Sequence, residues 1–175
     1  LAAHGVAAPG IDEHVVVYFP QRADCGGWAG YASLGGGSVW INGAQNRDVV
    51  AHEVGHNLGL GHANLATCGQ DGARASLVLP LTGTCALSEY GDRADVMGIG
   101  LNAATGNLNT ALADALGLVV VHRPSAGTTT SVDLSPLAAV GRLRSVAIPV
   151  QNGTVYVDYR PATGPDTRMP AWAGV

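Results

Sequence analysis

Lysine is absent from this 175-residue chain, and charge of either sign is scarce. Arginine supplies all nine basic residues, thirteen are acidic, and charged residues make up only 13% of the chain, for a net charge of −4. That balance excludes the basic footprint of a nucleic-acid-binding domain and the polybasic segment that tethers a protein to an anionic membrane surface. No apolar run approaches the 18–20 residues that a membrane-spanning helix needs. The three cysteines, Cys25, Cys68 and Cys85, include no pair separated by two residues, so they form no zinc knuckle. The chain opens at Leu1 without a charged leader region or a cleavage signature, so no signal peptide is expected within it. Both ends read as arbitrary, and the expectation is a fragment or a processed product. What remains is ample for folding. With 47% apolar residues the length suits one domain, or one domain with a small appendage, and 25 glycines point to tight turns.

The densest chemistry lies in residues 52–62, His-Glu-Val-Gly-His-Asn-Leu-Gly-Leu-Gly-His. His52 and His56 are four apart, so a helix sets them one above the other on the same face. Both can then reach one metal ion at about 2.0–2.1 Å, the usual zinc–imidazole distance. Glu53 is rotated one residue around the helix, where its carboxylate can meet a water beside the metal without becoming a ligand. Gly59 can end the helix because glycine takes positive φ without a Cβ penalty, and the chain can turn back for His62 to supply a third nitrogen. Three protein ligands leave a fourth position for water, the layout of a catalytic rather than a structural zinc site. The bland alternative is an ordinary helix with exposed histidines. Asn46 as N-cap and Asp48 in the first turn favour a real helix start. Val50, Val54 and Leu58 recur every four residues, which predicts a packing face distinct from the histidine face.

Downstream, residues 89–98 read Glu-Tyr-Gly-Asp-Arg-Ala-Asp-Val-Met-Gly, ending in a methionine 35 residues after His62. The long histidine motif followed by such a methionine turn resembles the metzincin metalloproteases. Within them, His-Asn-Leu-Gly-Leu-Gly-His-Ala (56–63) and Tyr-Gly-Asp-Arg-Ala-Asp-Val-Met-Gly (90–98) are most similar to the gametolysin-like family and its bacterial relatives. The segment 101–118 resembles that family's helix after the methionine turn, and the similarity covers about residues 25–118. The resemblance implies His52, His56 and His62 as ligands of one catalytic zinc, Glu53 as general base and acid, and Met97 as the apolar floor under the metal. Two departures are informative. Ala63 stands where reprolysin-type families carry an aspartate, and Ile99 stands where astacins and serralysins carry a zinc-binding tyrosine, so no tyrosine switch is expected.

The expected architecture is α+β: a metzincin-like catalytic domain over 1–118, lacking its N-terminal part, followed by a small, truncated β-rich appendage over 119–175. Val15–Phe19 reads as a buried central strand and 38–42 as another. Residues 31–41 are assigned to the edge strand that metzincins place above the cleft, with Val39, Trp40 and Ile41 as substrate-binding positions on an edge open to strand addition. A fully paired interior strand is the alternative. The zinc helix is expected over 47–58, a long loop over 64–88, and a helix over 105–116 stopped by Gly117. Leu108, Leu112 and Leu116 recur on that helix at i, i+4 and i+8. Period-two segments at 131–134, 145–148 and 154–159 predict strands, the last two joined by an Asn152-Gly153 hairpin. A disulfide between Cys68 and Cys85 would close the loop and contribute on the order of 3 kcal/mol by chain entropy, with Cys25 left over. Asp92 and Asp95 suggest a structural calcium site, although two aspartates in a turn more often cap backbone donors. His4, His14 and His122 read as surface or core residues; Arg160, Gly164 and Asp166 could serve a site, with turn chemistry the favoured reading.

Together these readings predict a secreted, extracellular and bacterial zinc endopeptidase that acts on protein or peptide substrates, with no nucleic-acid or membrane partner. The alternatives are a zinc-stabilised binding module without activity, and a metallohydrolase narrow for a peptide or peptidoglycan cross-link. Glu53 argues against the inactive module, since such a descendant has no chemical reason to keep the base.

Overall fold

The computed structural model describes residues 3, 5, 7–68, 85–98, 106–151 and 153–168. It is a mixed α+β structure with few helices and several small sheets. The chain divides into two compact units, Leu1–Gly61 and His62–Val175.

The first unit holds a three-stranded sheet and one helix. Strands β1 (Val15–Phe19), β2 (Gly30–Ala32) and β3 (Ser38–Asn42) take the order β1-β3-β2, parallel between β1 and β3 and antiparallel between β2 and β3. This corrects two expectations. Among the described strands the apolar run Val15–Phe19 lies at an edge of its sheet rather than at the centre, which β3 occupies. For the same reason β3 is not an open edge. Val39 and Ile41 are buried in the core, while Trp40 stacks beside Tyr31 with ring centroids 6.0 Å apart. A run of β-branched residues signals a strand but carries no information about which neighbour it finds.

Helix α1 (Arg47–Asn57) packs against β2 and β3. Its start is as the residues dictate: Asn46 is extended and its Oδ1 accepts from the Asp48 N–H at 2.9 Å. After Leu58 the chain leaves the helix through Gly59, at φ +90°. The buried face differs from the expected one. Val49, His52, Glu53 and Asn57 are buried, whereas Val50 and Val54 are only half-buried and Leu58 is 48% exposed. The sheet covers the motif face of the helix, and Asn57 earns its burial by donating to the Ser33 and Ser38 carbonyls at 2.8 and 3.0 Å.

In the second unit, β4 (Leu65–Cys68) and β5 (Cys85–Ser88) pair antiparallel where a continuous loop was expected, with Cys68 opposite Cys85 in the register. Residues 69–84, the rest of that expected loop, lie outside the described residues. Helix α2 (Thr110–Ala115) is shorter than the expected 105–116, because Asn109 caps it by accepting from the Leu112 N–H at 3.0 Å. It buries Thr110 and Ala113 rather than the leucine stripe, and Gly117 ends it at φ +68°.

Strands β6 (Val120–His122), β7 (Leu143–Val150) and β8 (Gly153–Asp158) form the third sheet, parallel between β6 and β7 and antiparallel between β7 and β8. The β7–β8 pairing is the expected hairpin, with Asn152 of its turn outside the described residues. Residues 131–134, expected as a strand, are irregular. Helix α2 packs on β8, where the Tyr156 hydroxyl donates to Asp114 at 2.6 Å and Thr110 Oγ1 donates to Asp158.

Candidate metal centre

His52 and His56 project from adjacent turns of α1, with ring centroids 4.7 Å apart and planes nearly perpendicular. His62 follows the turn that Gly59 opens. One ligand atom from each of the three lies within 4.8 Å of the others. A tetrahedral zinc holds its nitrogens roughly 3.4 Å apart at zinc–imidazole bond lengths of about 2.0–2.1 Å. His52 is buried and the other two are half-buried, and no other described group of three or more His, Cys, Asp or Glu residues converges in this way.

The tautomers of two of these rings follow from their neighbours. His56 Nδ1 lies 2.8 Å from the Leu60 carbonyl oxygen. A carbonyl can only accept, so Nδ1 carries the proton and the lone pair sits on Nε2. His62 Nδ1 lies 2.7 Å from Glu89 Oε1, and an ionised carboxylate fixes the same tautomer. Such outer partners orient metal-binding imidazoles and raise their basicity. The donor set, three imidazoles of which His56 and His62 present Nε2, therefore fits a zinc ion.

The corner that carries Glu89 also shapes His62. Tyr90 is the one described non-glycine residue at positive φ, +59°. Its N–H donates to Asn64 Oδ1 at 3.0 Å, and its ring lies on the His62 ring with centroids 3.7 Å apart. A tyrosine in the left-handed region is strained, and such strain gathers at functional sites.

Glu53 is 7% exposed on α1. Burial raises its carboxyl above the ordinary glutamate range, opposed by the nearby His56. The buried carboxylate is thus held beside the imidazoles rather than solvated.

The methionine turn is tied to the chain just after His62. Met97 is fully buried, and its carbonyl accepts from the Ala63 N–H at 2.8 Å. Ala63 in turn accepts from the Asp92 N–H at 3.1 Å. Asp92 Oδ1 accepts from the Ala94 N–H at 2.8 Å and Asp95 Oδ1 from the Met97 N–H at 2.6 Å. The two aspartates considered for calcium thus cap backbone donors. Gly98 must be glycine, because a Cβ there would overlap the Asp92 carbonyl oxygen.

Asp95 also accepts from the Asn109 N–H, which joins this turn to the start of α2. Arg160 adds a second brace: its Nη2 donates to the Ala94 and Asn107 carbonyls, each at 3.0 Å, and pairs with Asp166 at 2.9 Å. Asp166 is fully buried and also accepts from the Asn107 N–H and side chain. For Arg160 and Asp166 turn chemistry was the expected role, with service to a site as the alternative.

The remaining predicted positions scatter. His14 bonds the Asn57 side chain at 3.2 Å, His122 keeps a buried Nε2 with no hydrogen-bond partner among the described residues, and His4 and Ile99 lie outside the described residues. Cys25 carries a free thiol. Glu89 was missed as a site residue because it is 27 positions from His62, and only the β4–β5 pairing brings it back.

Comparison with known proteins agrees with the first half of this picture. Residues 12–63 match the model of the metallopeptidase family M12B, reprolysin-like. The matched stretch runs from Asp12, just before β1, through all three histidines and stops at Ala63. No curated protein and no solved structure matches the chain. The family match and the histidine trio together support a metallopeptidase domain with a zinc-binding capacity.

Proposed function

We propose that this chain is a zinc-dependent endopeptidase of the metzincin type. The observation that carries the reading is the convergence of His52, His56 and His62 with the Nδ1 atoms of two of them engaged by Leu60 and Glu89. His52, His56 and His62 would hold the zinc, which when bound would supply a Lewis acid to acidify a water and polarise the scissile carbonyl. Glu53 accepts the proton of the attacking water and passes it to the leaving amine, acting first as base and then as acid. Its burial suits this work, since a raised carboxyl pKa eases proton return to the amine. Met97, buried behind the segment that follows His62, gives that segment an apolar backing.

The finer assignment is likeness to gametolysin-like proteases. It is supported by the residues at 56–63 and 90–98 and by Ala63 in place of the aspartate of reprolysin-type families. The substrates are proteins or peptides, and the setting is extracellular. A Cys68–Cys85 disulfide suits that setting, and the antiparallel register that puts the two residues opposite one another supports it.

The test is metal analysis of the purified chain combined with cleavage of casein or gelatin, with and without chelator. The expected result is one zinc per chain, loss of cleavage with chelator and recovery with zinc. Glu53→Ala should keep the zinc and abolish cleavage. Stoichiometric zinc with no cleavage of any peptide library would favour the inactive binding module instead.

A further inference from the structure

Gly30 begins β2 and pairs with Ile41 of the central strand. A Cβ placed on it would lie 2.6 Å from both Cγ and Oε1 of Glu53 and 2.8 Å from its Cδ. Carbon atoms in folded proteins do not approach that closely, and all three nearest atoms belong to this one side chain. Gly30 is not at positive φ, so its backbone conformation is open to any residue. The requirement for glycine is therefore steric, and its three closest contacts all come from the Glu53 side chain.

We propose that Gly30 is a positioning residue for the Glu53 carboxylate: its missing side chain is the space that the carboxylate occupies between α1 and β2. The inference rests on the reading of Glu53 as the proton carrier. Of the two partners, the strand is the fixed one. Its ladder to β3 holds Gly30 in place, whereas the end of a glutamate side chain turns about its own torsions. A methyl group at position 30 therefore displaces the carboxylate and leaves the strand and the imidazoles where they are. A displacement of about 1 Å in a reacting group can lower a rate on the order of 100-fold. No sequence pattern announces this, since a glycine between Ala29 and Tyr31 reads only as a weak strand residue.

The experiment is Gly30→Ala in the full chain, loaded with zinc or with cobalt as a spectroscopic substitute. The expected result is unchanged metal stoichiometry and an unchanged cobalt absorption spectrum, with kcat lowered 10- to 100-fold and KM altered less than threefold. Wild-type kcat in Gly30→Ala overturns the proposal, and so does loss of metal in parallel with activity.

A second measurement does not use catalysis. Gly30→Ala is compared by urea unfolding in the wild-type background and in Glu53→Ala, where the colliding atoms are gone. The midpoint should fall in the first background and hold or rise in the second, and additive effects in the two overturn the proposal. If the wild-type chain cleaves no peptide, the peptidase reading fails, and this unfolding cycle still decides the Gly30–Glu53 contact: coupling supports it and additivity overturns it.

Discussion

Asp95 offers the sharpest link between a buried group of this structure and a quantity measured in solution. Its carboxyl is fully buried. Burial pushes its pKa from 3.8 to about 6, and the neighbouring Asp92 adds to the rise. The N–H groups of Asn109 and Met97 and the charge of Arg160 pull the other way without cancelling it. In the unfolded chain the group titrates near 3.8, so between that pH and about 6 the folded state holds a proton that the unfolded state has released. Stability then falls as pH rises through this window. The gap is worth about 3 kcal/mol at 1.36 kcal/mol per pH unit, a substantial part of the roughly 5–15 kcal/mol that holds a domain together.

The contribution is fully present below pH 3.8 and is lost as pH passes about 6. Other carboxylates titrate over the same range, so the informative quantity is the difference between wild type and Asp95→Asn, whose side chain stays neutral. Urea unfolding at steps from pH 4.5 to 7.5 should show the wild type losing about 2 kcal/mol relative to the variant as pH rises. Parallel curves for the two proteins would refute the burial of an ionisable Asp95 beneath the methionine turn.

Two further perturbations test the surroundings of the metal centre. Glu89→Ala removes the carboxylate that orients His62, and zinc affinity measured by competition with a chromogenic chelator should weaken about 10- to 100-fold; unchanged affinity would deny Glu89 that role. Asp166→Asn removes the buried carboxylate that pairs with the Arg160 guanidinium, and loss of one member of such a pair costs about 3–5 kcal/mol. Urea unfolding should register that loss, and a change under about 1 kcal/mol would show the brace to be dispensable.

The parts of this molecule that local chemistry determines were legible in its residues. Asn46 could be read as a cap and Gly59 as a helix end because each acts on its own few backbone groups. The spacing of His52, His56 and His62 foretold their convergence, because helical rise and one tight turn span the whole distance. Legibility ended where distant segments meet. Nothing in Val15–Phe19 or Ser38–Asn42 says which strand lies between two others. The valine stripe of α1 suggested the wrong packing face, because the sheet covers the side bearing His52 and Glu53. The bonds of Arg160 and Asp166 to Ala94 and Asn107, and the contact of Glu89 with His62, join residues that are separate in sequence and apposed only by the fold.

The proposed chemistry requires that three imidazoles share one zinc and leave a position open to solvent. X-ray absorption at the zinc edge of the purified, metal-loaded chain reads that coordination shell. The expected shell is three imidazole nitrogens at about 2.0–2.1 Å and one further oxygen that a hydroxamate inhibitor displaces. A sulfur neighbour at about 2.3 Å, or a fourth imidazole that no inhibitor displaces, would contradict it.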